Sequence, residues 1–138
     1  MITIKKQEIV KLEDVLHLYQ AVGWTNYTNQ PQMLEQALSH SLVIYLALDG
    51  DAVVGLIRLV GDGFSSVFVQ DLIVLPSYQR QGIGSNLMKE ALADYNDAYQ
   101  VQLATEQTEK NLGFYRSLGF ETLSTYDCAG MIWVDREK

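Results

Sequence analysis

The chain has 138 residues, a net charge of −7, one cysteine, two prolines and 48% apolar residues, which describes an ordinary globular domain and not a disordered segment. The lone Cys128 excludes an internal disulfide and a multi-cysteine metal site, and ten scattered basic residues leave no nucleic-acid footprint. No apolar run approaches the roughly 18 residues of a membrane span, and "MITIKKQEIV" lacks a signal-peptide core, so a cytoplasmic, metal-free protein is expected.

"ITIKK" is a short opening strand. Leu12, Val15, Leu16, Leu18, Tyr19 and Val22 fall close to one helical stripe, and Gly23 is a plausible stop. "PQMLEQALSHS" places Met33, Leu34, Ala37 and Leu38 on one face behind a proline start, which predicts a second helix. The period then changes. "LVIYLALDGDAVVGLIRLVGDG" contains two β-rich runs around Asp49-Gly50, a hairpin signal, and "SSVFVQDLIVL" adds a third run that stops at Pro76.

"SNLMKEALADY" is a third helix, with Leu87, Met88, Ala91, Leu92 and Tyr95 at helical offsets. "YQVQLAT" is a strand, "EKNLGFYRSLG" a short helix ending near Gly119, and "FETLST" and "AGMIWV" are two closing strands. No repeat or linker interrupts this order, so one domain over residues 1–138 is expected. The class is α/β, or α+β in some schemes, with a parallel crossover in the middle of the sheet. Ligands of such sheets bind at the carboxyl ends of the crossover strands, where "QRQGIGS" lies.

That loop has two readings. Glycines are favoured in any strand-to-helix turn that needs positive φ or clearance. They also strip bulk from the first turn of a helix, whose N–H groups and dipole attract an anion. A P-loop needs lysine and Ser or Thr after its last glycine, whereas "SNL" follows Gly84; a Rossmann fingerprint needs glycine where Leu87 stands. Neither fits. Arg80 supplies a positive charge here, and Gln79, Gln81 and Ser85 supply neutral donors, a set suited to a pyrophosphate.

The longer stretch "VQDLIVLPSYQRQGIGSNLMKEAL" resembles the acetyl-CoA-binding segment of the GNAT N-acetyltransferase superfamily, through Val74, Pro76, Gln79, Gly82 and Gly84. Downstream, "NLGFYRSLGF" resembles the second signature of that family, with Phe114, Tyr115, Gly119 and Phe120 in place. The resemblance implies a mixed, mostly antiparallel sheet of six to seven strands with four helices. It also implies direct transfer of an acetyl group from acetyl-CoA to an amine, with no acyl-enzyme.

By that resemblance, residues 80–85, including Ile83, anchor the pyrophosphate, and Leu72 and Ile73 line the pantetheine arm. The Val74 N–H would receive the developing oxyanion, provided that its strand splays from a neighbour, for which a bulge is the usual device. Tyr115 is the expected acid for the departing thiolate. An acidic residue at the position of Asp71 touches substrate or takes its proton through water in several members. Many members carry asparagine where this chain has Thr108; Asn111, on the helical face of Tyr115, is the expected cofactor contact instead.

From the residues alone, adjacent Gln70 and Asp71 point to opposite faces of a central strand. Asp71 therefore faces a wet cleft or pairs, Arg58 being one candidate. Glu106 is a weaker candidate base. Trp24 and Tyr27 either wall an acceptor site or cover the sheet, and Cys128 reads as a small buried hydrophobe. The expected function is acetylation of a small-molecule primary amine, an acceptor that an acidic field would attract when cationic. The alternatives are a protein N-terminal or lysine acetyltransferase and a non-catalytic acetyl-CoA-binding regulatory module. Neither nucleic acid nor membrane is an expected partner, and the chain is expected as a monomer or homodimer.

Overall fold

A computed structural model describes residues 1–135. They divide into two units, Met1–Ala104 and a smaller one from Thr105 onward. The first holds β1 (Ile2–Gln7), α1 (Leu12–Ala21), α2 (Thr25–Thr28), α3 (Pro31–Ser39), β2 (Val43–Asp49), β3 (Ala52–Gly61), β4 (Ser66–Val74), α4 (Ile83–Tyr95) and β5 (Gln100–Leu103). The second holds α5 (Glu109–Ser117) and a 3-10 turn at Leu123–Tyr126. Among the described residues no helix is long and apolar enough to cross a membrane.

The five strands lie in the order β1-β2-β3-β4-β5. Three antiparallel pairings are followed by one parallel pairing, β4 with β5, which α4 makes possible as the crossover. Asp49-Gly50 turns the chain between β2 and β3 as expected, Asp49 pairing with Ala52. At the next hairpin the Asp62 carboxylate accepts the N–H groups of Phe64 and Ser65 at 2.7 and 2.8 Å and that of Ser66 at 3.1 Å. Three backbone donors that would otherwise point into a tight turn are thereby satisfied.

The sheet is covered on both faces, so β2 and β3 read as nearly continuous apolar runs. On one face, Val15, Leu18 and Tyr19 of α1 and Leu34 and Leu38 of α3 pack on Ile44, Leu46, Leu56 and Ile73. Burying each of these large side chains contributes ~1.5–3 kcal/mol. On the other face α4 buries Ile83, Leu87, Met88 and Ala91. Gly55 permits that approach: a Cβ there would stand 3.4 Å from Leu87 Cδ1 and 3.1 Å from the Ile73 carbonyl oxygen.

The sheet has five strands, not six to seven, and α2 adds a short helix, bringing the described residues to five α-helices. Residues 120–125 and 129–134, expected as strands, form no ladder. Apolar, β-branched composition favours a strand only when a neighbour takes up its N–H and C=O groups in a ladder, and among the described residues these segments join none. Cys128 is likewise exposed, not buried, its Sγ lying 3.4 Å from the Tyr126 carbonyl oxygen.

Candidate active site

β4 is paired differently on its two edges. Against β3 the ladder runs from Val67–Gly61 to Val74–Gly55. Against β5 it stops at Val69–Leu103, so, among the described residues, 70–74 have a ladder partner on one side only. Leu75 N–H donates to the Val54 carbonyl at 2.9 Å. By antiparallel alternation, Ile73 and Asp71 also bond toward β3, whereas Leu72 and Val74 turn their N–H and C=O groups to the open edge. Gln79 Nε2 reaches the Val74 carbonyl there, at 3.1 Å.

A register shift against β3 lies just beyond the end of that pairing. Arg58 pairs with Asp71 but Leu59 pairs with Val69, which leaves Gln70 as the extra residue of a bulge. The bulge breaks simple alternation, so Gln70 and Asp71 do not point to opposite faces as expected. Both reach the Tyr27 hydroxyl, Gln70 Nε2 at 3.4 Å and Asp71 Oδ1 at 2.8 Å.

Beyond β4 the chain passes through a 3-10 turn, Pro76–Tyr78, to the glycine loop. Arg80 has φ +66° and Gly82 has φ +79°, so two left-handed residues bend the backbone into the start of α4. The first bond of the helix runs from Asn86 N–H to the Gly82 carbonyl, at 3.0 Å. The N–H groups of Ile83, Gly84 and Ser85 therefore lack intrahelical acceptors. No side chain caps them and no acidic residue occupies the first turn. With Arg80 and Gln81 exposed beside them, these groups form a site whose donors and dipole suit a phosphate.

Asp71 is buried, 2% exposed. Its Oδ2 accepts from Arg58 Nε at 2.7 Å and from the Tyr19 hydroxyl at 2.8 Å, while Oδ1 accepts from Tyr27. Arg58 is 4% exposed, and its Nη1 donates to Ser41 Oγ at 3.2 Å and to the Ala37 carbonyl at 3.3 Å. Burial is the largest single influence on the guanidinium pKa and pulls it down, but the Asp71 charge and hydrogen bond, with the Tyr19 and Tyr27 phenols, together carry the net direction up. Burial, then the Asp71 charge and hydrogen bond, push the Tyr19 phenol far up. Burial is also the largest cause raising Tyr27, partly opposed by the Gln70 hydrogen bond. Trp24 completes an aromatic group, its ring centroid 6.1 Å from Tyr19 and 6.2 Å from Tyr27. Trp24 and Tyr27 are half-buried.

The remaining candidates divide by unit. Ile73 is 2% exposed with its side chain in the core, so it offers the open edge no polar group. In the second unit, Tyr115 packs edge-on against Phe114 and Phe120 at 5.0 and 6.1 Å, and burial raises its phenol pKa. Thr108 caps α5 by accepting Asn111 N–H at 3.1 Å, and Asn111 Nδ2 donates to Thr105 Oγ1 at 3.2 Å. Glu106 lies exposed before the helix. Sequence reasoning passed over Tyr19 as one more member of an apolar stripe. The missed signal is its hydroxyl, which must find a partner when a tyrosine enters a core.

Residues 40–122 match the profile of the acetyltransferase (GNAT) domain family. The chain is 34% identical over 95 residues to "Serotonin N-acetyltransferase 2, chloroplastic" from Oryza sativa subsp. japonica, a match over 66% of this chain and 48% of that protein. The chain thus spans about half the length of that relative. A solved GNAT-family acetyltransferase from Streptococcus pneumoniae TIGR4 superposes with a TM-score of 0.91 at 86% identity, covering 99% of each chain. The PaiA N-acetyltransferase from Thermoplasma acidophilum, solved in complex with coenzyme A, shares the fold with a TM-score of 0.68 at 16% identity, over 87% of this chain and 91% of that one. The half-paired strand and the glycine-bounded helix start thus occur in a chain that belongs to the GNAT acetyltransferase family.

Proposed function

We propose that this chain is an N-acetyltransferase that moves an acetyl group from acetyl-CoA to the primary amine of a small molecule. The observation that carries the proposal is the open edge of β4, where Leu72 and Val74 present backbone groups a few residues before the uncapped start of α4. When bound, acetyl-CoA supplies the activated acetyl group. The N–H groups of Ile83, Gly84 and Ser85, with Arg80 and Gln81, hold its pyrophosphate. Leu72 and Val74 bond the pantetheine amides as a strand bonds its neighbour. Gln79 fixes the loop to the Val74 carbonyl. The Val74 N–H then faces the oxygen on which charge develops, at a position set before reaction.

The acceptor end lies on the side of β4 toward Asp71 and Gln70. Asp71 works at one remove, as a positioning residue. Because Asp71 Oδ1 accepts the hydrogen bond that the Tyr27 hydroxyl donates, the Tyr27 oxygen presents lone pairs to an amine N–H. The long Gln70 bond to that oxygen is the one an amine replaces. Half-buried Trp24 and Tyr27 wall the body of the acceptor, which favours an aromatic or alkyl amine; the name of the rice relative points the same way. As the new C–N bond forms and the C–S bond breaks, the amine proton leaves to water and the Tyr115 phenol protonates the sulfur. Burial keeps that phenol protonated at neutral pH. Asn111 contributes a further cofactor contact through its side-chain oxygen.

The test is a thiol-release assay with acetyl-CoA across arylalkylamines, polyamines, aminosugars, amino acids and short peptides. Turnover concentrated in the arylalkylamines is the expected result. Turnover only with peptides would move the acceptor to protein. Acetyl-CoA binding without turnover of any amine would make the chain a binding module.

A further inference from the structure

Resting on the reading of residues 80–85 as a pyrophosphate site, we propose that Asp49 is a positioning residue for that loop. It acts from the β2–β3 hairpin through the Tyr78 hydroxyl, which donates to Asp49 Oδ2 at 2.6 Å across 29 residues of sequence. The loop needs holding. Arg80 has φ +66°, a left-handed conformation that a residue with a Cβ keeps only when its surroundings enforce it. Among the described residues, no backbone hydrogen bond is donated by Arg80, Gln81 or Gly82. A Cβ at Gly82 would meet nothing within 4 Å, so packing does not confine the loop there either. Downstream, Ile83 anchors the start of α4 in the core, 3% exposed. Upstream, Leu75 is tied to Val54 before the 3-10 turn, while the N–H groups of Tyr78 and Gln79 bond only back to Leu75 and Pro76. The Gln79 side chain likewise reaches back no further than Val74. From Pro76 to Gln81 the Tyr78–Asp49 bond is, among the described residues, the one hydrogen bond that ties the chain to a remote part of the sequence.

Asp49 is a fixed point from which to hold it. Its backbone is paired on both sides, with Ile2 of β1 and with Ala52 of β3. Gly50, at φ +61°, closes the hairpin directly behind it. A binding loop is positioned best by groups that stand on rigid elements of this kind. A carboxylate acceptor also makes the bond stronger than one between neutral groups. The other carboxylate oxygen, Oδ1, lies 3.8 Å from the Met1 α-amino group, an exposed pair. Such pairs contribute little, so the Tyr78 bond is the reason for an acid at this position.

Calorimetry of coenzyme A binding to the full chain is the test. Tyr78→Phe keeps the ring and removes the hydroxyl, and is expected to weaken binding roughly 5- to 10-fold. Asp49→Ala is expected to do the same, and the double variant to bind no more weakly than either, since both changes delete one bond. Asp49→Asn keeps an oxygen that accepts from the Tyr78 hydroxyl while removing the charge beside Met1. It is expected to restore affinity to within about 2-fold of the unsubstituted chain. Full affinity in Tyr78→Phe, or losses that add in the double variant, would overturn the role of Asp49, whatever the melting temperatures do. A loss in Asp49→Asn equal to that in Asp49→Ala would assign the effect to charge alone and overturn it too. Failure of the unsubstituted chain to bind coenzyme A would instead overturn the pyrophosphate site itself, and this role with it.

Discussion

Arg58 and Asp71 show how one pair of charges is made tolerable inside a core. Each charge is removed from water at a cost of several kcal/mol, and each is returned several donors or acceptors in a fixed geometry. Arg58→Ala leaves Asp71 buried without its cation and is expected to destabilise the fold by about 3–5 kcal/mol in urea denaturation. Replacing both residues together, as Arg58→Met with Asp71→Leu, is expected to cost less than either single change. The pairing itself was among the options that the sequence left open. The faces of Gln70 and Asp71 were not legible, because a bulge adds one residue to a strand without leaving a mark in composition. At Tyr115, substitution by Phe is expected to lower kcat by about 10²-fold or more while coenzyme A affinity is unchanged, the signature of a proton donor. A loss of affinity instead would make the ring a packing element only.

At the scale of elements, the junction of β4 and α4 was the most legible part of the chain. Gly82, Gly84 and Arg80 stand where an anion site at a helix start uses small residues and a cation, and the failure of the P-loop and Rossmann spacings narrowed the ligand. A Cβ at Gly82 would meet nothing within 4 Å, so the constraint there is its φ of +79°. Gly82→Asp combines that strain with a negative charge beside the phosphate donors. Coenzyme A affinity, measured by calorimetry, is expected to fall at least ~10-fold; unchanged affinity would remove the loop from the binding site. The two closing strands were misjudged for the opposite reason. "MIWV" is rich in residue types that strands favour, but pairing is a property of two segments and not of one.

For the molecule as a whole, the raised phenols set an alkaline limit. Tyr19 titrates far above 10 in the folded chain and near 10 when unfolded. Its contribution is therefore complete below about pH 10 and is lost progressively above it. Thermal stability is expected to decline from about pH 10 upward, and Tyr19→Phe, although less stable at neutral pH, is expected to decline less steeply. A parallel decline in both proteins would assign the alkaline loss to other groups.

The end of the β4–β5 ladder at Val69 has a consequence for solvent exchange. Residues 72 and 74 lie in a central strand, where amides are ordinarily the slowest in a protein to take up deuterium. Here alternation sends both to an edge with no neighbour, so they are expected to exchange fast between slow neighbours at 71 and 73. Coenzyme A is expected to slow these two amides and those of residues 83–85 together. A central strand with alternate fast and slow amides, made uniform by ligand, is a pattern that ordinary sheet pairing does not produce.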